Sequence, residues 1–134
     1  MTHMTQGIAV FEIIINANKV ILNGIYANDG DRKPHDQSYE VNNQIAKKKP
    51  DSLTSGTNDI LVGEYDLRYI DSNLVNGILT IKIVNEAYVI DWHIFVKRGT
   101  FHQFTGIGLK AGDRHLAVSY LNLRHLAKSD ATDN

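Results

Sequence analysis

The chain has 134 residues, 43% of them hydrophobic and 22% charged, with no cysteine and two prolines. A formal charge of −1, from 14 basic and 15 acidic residues, argues against a broad electrostatic field for nucleic acid or an anionic membrane. The missing cysteines exclude disulfides, thiol nucleophiles, iron–sulfur clusters and cysteine-type zinc sites, and the length is that of a single domain with a real core.

Residues 7–16 (GIAVFEIIIN) are rich in β-branched side chains and end at the turn signal Asn16-Ala17-Asn18; residues 19–26 (KVILNGIY) follow as the hairpin partner. Residues 27–58 carry both prolines, the Lys47-Lys48-Lys49 run and the polar clusters DGDRK and SLTSGTND. The pattern predicts a surface excursion there, with one strand at 39–45 and the lysines in a solvated loop. Further strands are expected at 60–70, 74–84, 87–96, 101–109 and 115–121, joined by the short polar links DSN, NE, KRGT and KAGD. Such an antiparallel meander points to an all-β barrel or sandwich, one domain over residues 1–134 with a frayed tail at 122–134. No stretch reaches the roughly 18 consecutive apolar residues of a membrane helix. The first 22 residues lack a basic n-region and a small-residue cleavage site, so a cytoplasmic location is expected.

Short turns let register be proposed, and register sorts side chains onto faces. A two-residue turn at Asn85-Glu86 sets Ile83 opposite Tyr88, Ile81 opposite Ile90 and Leu79 opposite Trp92. A turn at Arg98-Gly99 sets Trp92 opposite Thr105, Ile90 opposite Ile107 and Ile94 opposite Gln103. A turn at residues 110–113 sets Leu116 opposite Ile107, Val118 opposite Thr105 and Tyr120 opposite Gln103. On these pairings Thr105, Ile107 and Leu109 join the inner face with Ile90, Trp92, Leu116 and Tyr120. The expected ligand-facing set is Tyr65, Tyr88, Trp92, Gln103, Thr105 and Tyr120, either a satisfied internal hydrogen-bond cluster or the wall of a small-ligand cavity. The opposite face gathers His93, Phe95, His102, Phe104 and Leu121, too apolar for free water contact, and is the expected homo-oligomer interface.

Other chemistry finds little support. His93 and His102 are the one close pair among six histidines, but no third ligand or HExxH spacing accompanies them, so no metal is expected. Glu64, Asp66 and Arg68 alternate with Tyr65 and Leu67 and form an outward charge row. Glu12 falls with Ile8, Val10 and Ile14, as an outer-face residue or an inward carboxylate. Gly106 and Gly108 lie within a strand, not at a strand-to-helix turn, so they serve curvature or close packing instead of phosphate binding. No catalytic residue and no cofactor emerge.

From residue 63 to 120 the chain reads GEYDLRY, NGILTI, AYVIDW, FTGIGL and HLAVSY. This succession resembles the bacterial calycin-like proteins, small β-barrels of the avidin and lipocalin type. The resemblance covers a little under half the chain and implies a closed up-and-down barrel of about eight strands with one mouth open to a ligand. Two departures stand out: Gly7 is followed by Ile8 and Ala9 where lipocalins carry G-x-W, and Trp92 is the only tryptophan, so no biotin site is implied. The resulting expectation is a non-enzymatic barrel that oligomerises through an outer face and holds a small apolar or amphipathic ligand, without nucleic acid or membrane as partner. The alternatives are a protein-interaction or inhibitor-type module with a filled barrel, and a cyclase- or isomerase-type enzyme using Glu12 or Tyr88.

Overall fold

In the first strand, β1 (Gln6–Asn16), Ala9, Phe11 and Ile13 are buried while Ile8, Val10, Glu12 and Ile14 face outward. That period of two is the signature of a half-buried strand, although here both faces are largely aliphatic. The computed structural model describes residues 5–17, 19–29, 32–33, 38–39, 41–50, 59–69, 72–96 and 101–122. Its further strands are β2 (Lys19–Asn28), β3 (Arg32–Lys33), β4 (Ser38–Tyr39), β5 (Asn42–Lys48), β6 (Gly63–Tyr69), β7 (Gly77–Val84), β8 (Ala87–Phe95), β9 (Phe101–Ala111) and β10 (His115–Asn122).

Eight of these close into an antiparallel barrel in the order β1-β10-β9-β8-β7-β6-β5-β2, and β1 bonds to both β2 and β10. Closure leaves the barrel no free sheet edge. Strands β3 and β4 pair with each other as a separate ribbon within the 27–58 excursion. Within the same stretch β5 runs from Asn42 to Lys48, a little later than the expected 39–45, and pairs with β2 on one side and β6 on the other. Lys47 and Lys48 therefore close a barrel strand instead of lying in a loop, and Lys49 follows it. The expected tail lies outside the described residues beyond Asn122.

The β7–β8 register is the expected one, with Val84 opposite Ala87, Ile83 opposite Tyr88, Ile81 opposite Ile90 and Leu79 opposite Trp92. Asn85 takes a φ of 58° in that two-residue turn, the left-handed conformation that asparagine tolerates. The β8–β9 register is one residue away from expectation. Trp92 faces Phe104, Ile90 faces Gly106 and Ile94 faces His102; the expected turn at Arg98-Gly99 lies outside the described residues. The β9–β10 pairing also differs, because Ala111 sits opposite His115 and the loop is 112–114, not 110–113.

These two corrections turn β9 over. Gly106 and Gly108 face the lumen, while Ile107 and Leu109 point outward and are 63% and 60% exposed. The physical reason is volume. A β-carbon on Gly108 would lie 2.7 Å from Ile90 Cδ1, and one on Gly106 would lie 2.6 Å from the Ser119 carbonyl oxygen. The interior of an eight-stranded barrel is only just wide enough for side chains, so bulk contributed by β8 and β10 requires glycine on β9. The core that results includes Phe11, Leu22, Leu67, Leu79, Ile81, Ile90, Trp92, Leu116 and Val118.

Candidate functional site

The two ends of the barrel are built differently. At one end the segment 59–62, which leads into β6, turns its Leu61 side chain into the lumen, where it is 1% exposed. Four polar contacts fasten this plug. The Asp59 carboxylate accepts from the Leu61 backbone N–H at 3.0 Å and from the Tyr88 hydroxyl. The Tyr65 hydroxyl donates to the Leu61 carbonyl at 2.7 Å, and Lys48 Nζ donates to the Ile60 carbonyl at 2.7 Å. Burial pushes the Tyr65 phenol well above its ordinary value, with Asp59 adding to the effect. Burial and the hydrogen bond to Asp59 push Tyr88 up to about 12. Burial lowers Lys48, partly offset by Asp59. Lys49 pairs with Glu64 and, at 3.8 Å, with Asp66 outside the plug; its pKa is raised, chiefly by the Glu64 hydrogen bond.

At the opposite end a cavity of about 200 Å³ remains. Its walls are mostly aromatic: Tyr26 from β2, Tyr69 from β6, Trp92 from β8, Phe104 from β9 and Tyr120 from β10. Their rings fall into two groups, a Phe11–Trp92–Tyr120–Phe104 chain and a Tyr26–Tyr69 pair. Trp92 lies 5.1 Å from Tyr120 and 6.5 Å from Phe11 below it, Tyr120 meets Phe104 edge-on at 5.6 Å, and Tyr26 is 6.4 Å from Tyr69. Offset and edge-to-face contacts of this kind hold ring planes in fixed orientations. Ile94 adds an aliphatic wall, while Asn28, Gln44 and His102 complete the lining with polar atoms.

Two polar contacts organise the cavity. Trp92 Nε1–H donates to Gln44 Oε1 at 3.1 Å, and Asn28 Nδ2 donates to the Tyr120 hydroxyl at 3.2 Å. The first is buried, with Gln44 only 5% exposed. Among the described lining residues there is no aspartate, glutamate, lysine or arginine. The lining is therefore mostly aromatic, with His102 as its one imidazole and the amides of Asn28 and Gln44 as its other polar groups besides the phenols.

Of the expected ligand-facing residues, Trp92 and Tyr120 line the cavity. Tyr65 and Tyr88 point inward but belong to the plug. Gln103 and Thr105 alternate with the inward Phe104 and Gly106 and so lie on the outer surface, as the corrected register requires. The glutamine beside Trp92 is Gln44 from β5, not the expected Gln103. The expected interface set divides in the same way. Phe104 and His102 move to the cavity, so His93 and His102 are not a pair. His93 stays outside with its ring 5.9 Å from Phe95, opposite Gln103, and Leu121 lies opposite Thr105 on β10. Glu12 is exposed on the outer face, opposite Asn23 and His115.

Tyr26, Asn28, Gln44, Tyr69 and Ile94 were absent from the expected ligand-facing set. Tyr69 continues the Tyr65–Leu67 alternation and Ile94 the Ile90–Trp92 alternation within the expected strands 60–70 and 87–96, so both are legible as inward residues. Gln44 and Ala46 also alternate, but the short β5 is hidden among loop-forming residues. Among the described residues no helix is long and apolar enough to cross a membrane. Comparison with protein-family models, with curated proteins and with solved structures gives no match for this chain.

Proposed function

We propose that this protein is a small-molecule-binding barrel that takes a flat, uncharged, largely apolar ligand into the cavity beside Trp92. The carrying observation is the contrast between a fully plugged end and an aromatic-lined space of about 200 Å³ at the other. An apolar cavity of about 150 Å³ is already large enough for benzene, so a one-ring ligand fits the scale. Cyclase or isomerase action through Glu12 or Tyr88 draws no support, since neither residue lines this cavity. Trp92 is the sole tryptophan, so its emission reports on the cavity alone. A set of neutral one-ring compounds titrated into the protein is expected to change that emission saturably and to raise the melting temperature. Failure of every member to do either overturns the reading.

A separate observation supports self-association. Ile8, Val10, Ile25, Ile107 and Leu109 are 38–64% exposed on neighbouring outer-face positions of β1, β2 and β9, bridged by Ala117 and Ser119 of β10. None of these described residues is charged, and Glu12, the next outward position on β1, lies at the border of the patch. A second copy presents the same aliphatic face, and two such faces pack as a sheet-on-sheet dimer. It replaces the His93–Phe95 face as the proposed interface. Ile107→Lys is expected to lower the mass measured by light scattering from dimer to monomer; a wild-type monomer at high concentration overturns the proposal.

A further inference from the structure

Resting on the reading of the cavity as a ligand site, we infer that Gln44 selects ligands carrying a hydrogen-bond acceptor, so that the class bound is a small neutral aromatic or conjugated carbonyl compound.

The argument starts from what tryptophan can do. Its indole N–H is a donor only. The Gln44 atom that meets Trp92 Nε1 at 3.1 Å is therefore the amide oxygen, and this fixes the orientation of the whole amide. The amide nitrogen is left with two N–H donors, and among the described residues it has no hydrogen-bond partner. Gln44 is nevertheless 95% buried, and it lines the cavity. A buried donor without a partner carries an unrecovered desolvation cost, and a ligand acceptor placed against it recovers that loss. The aromatic walls restrict the acceptor to one attached to a flat apolar body. The lack of any acidic or basic lining side chain other than His102 at the rim disfavours a carboxylate or ammonium group, whose desolvation the cavity does not offset.

The test uses three probes of one size: acetophenone, α-methylstyrene (the same shape with CH₂ in place of the carbonyl oxygen) and benzoate. Affinities and shifts are read by ¹⁵N NMR from the Trp92 indole and Gln44 side-chain amide signals of the intact chain. Acetophenone is expected to bind about tenfold or more tighter than α-methylstyrene, to exceed benzoate, and to move one Gln44 amide proton downfield. Gln44→Glu keeps the oxygen that Trp92 requires and removes the amide donors, so the preference for acetophenone is expected to vanish. Gln44→Met removes both groups and repeats the comparison should the glutamate variant fold poorly. Equal binding of acetophenone and α-methylstyrene to the wild type overturns this inference and leaves the cavity reading standing. Perturbation of neither signal by any probe overturns both.

Discussion

The plugged end and the open end use the same strands, yet they treat polar atoms in opposite ways. At the plug, Asp59, Tyr65, Tyr88 and Lys48 each spend a side-chain hydrogen bond on the segment that fills the lumen or on its neighbour. At the open end, Trp92 and Gln44 spend one bond on each other, and both line the cavity. A barrel of this width must either fill its interior or enclose a cavity. This one does both, and the division lies near the Phe11–Trp92 contact. On the proposed reading, packing stability is concentrated in one half and binding in the other, which separates the consequences of mutation.

The largest expected effect breaks the plug. Leu61→Ala removes a fully buried side chain from a filled space and should cost about 2–5 kcal/mol in denaturant unfolding. Ile94→Ala removes apolar bulk beside a cavity that already exists, from a partly exposed position, and should cost about 1 kcal/mol. Equal losses would mean that the two ends are not energetically distinct. Asp59→Ala should fall between them, since it leaves the Leu61 N–H and the Tyr88 hydroxyl without their shared acceptor.

Alkaline titration sharpens the same contrast. A phenol whose folded value lies above its unfolded value of about 10 holds its proton longer in the native state. The folded chain then binds more protons than the unfolded one, so stability falls as pH rises. For Tyr88, pushed up to about 12, the contribution is complete below about pH 10 and is lost between about pH 10 and 12. Tyr65 extends the loss to higher pH. The slope has a limit of about 1.4 kcal/mol per pH unit for each tyrosine. Denaturation midpoints measured from pH 9 to 11.5 should show it, and Tyr88→Phe should flatten it. An unchanged slope in that variant would remove Tyr88 from the account.

Much of this organisation was legible in the residues. Tight turns and period-two alternation gave the antiparallel meander, and the Asn85-Glu86 turn gave the β7–β8 register to the residue. The error at β9 arose because its largest aliphatic residues, Ile107 and Leu109, point to the outside while glycines face the lumen. Alternation shows that two faces differ but not which one the barrel has room for. The proposed turns at Arg98-Gly99 and at 110–113 are both off by an odd number of residues, so each puts β9 on the same wrong face and neither exposes the other. Gln44 is not legible for a related reason: its strand is short, and its hydrogen-bond partner is a tryptophan 48 residues away.

The smallest expected effect tests that inversion directly. Were Ile107 a core residue, truncating it to alanine would cost several kcal/mol, as core aliphatic residues do. On the outer face, 63% exposed, Ile107→Ala should change the unfolding free energy of the separated chain by only about 0.5 kcal/mol. Its neighbour gives the opposite response. Gly106→Ala adds one methyl group, yet that carbon would meet the Ser119 carbonyl oxygen at 2.6 Å and the Tyr120 and Val118 side chains at 2.9 Å, so a cost of about 1–3 kcal/mol is expected. Removing three carbons at one position should therefore matter less than adding one carbon at the next. The reverse order would restore the register in which Ile107 faces Ile90, and would return Gln103 and Thr105 to the lumen.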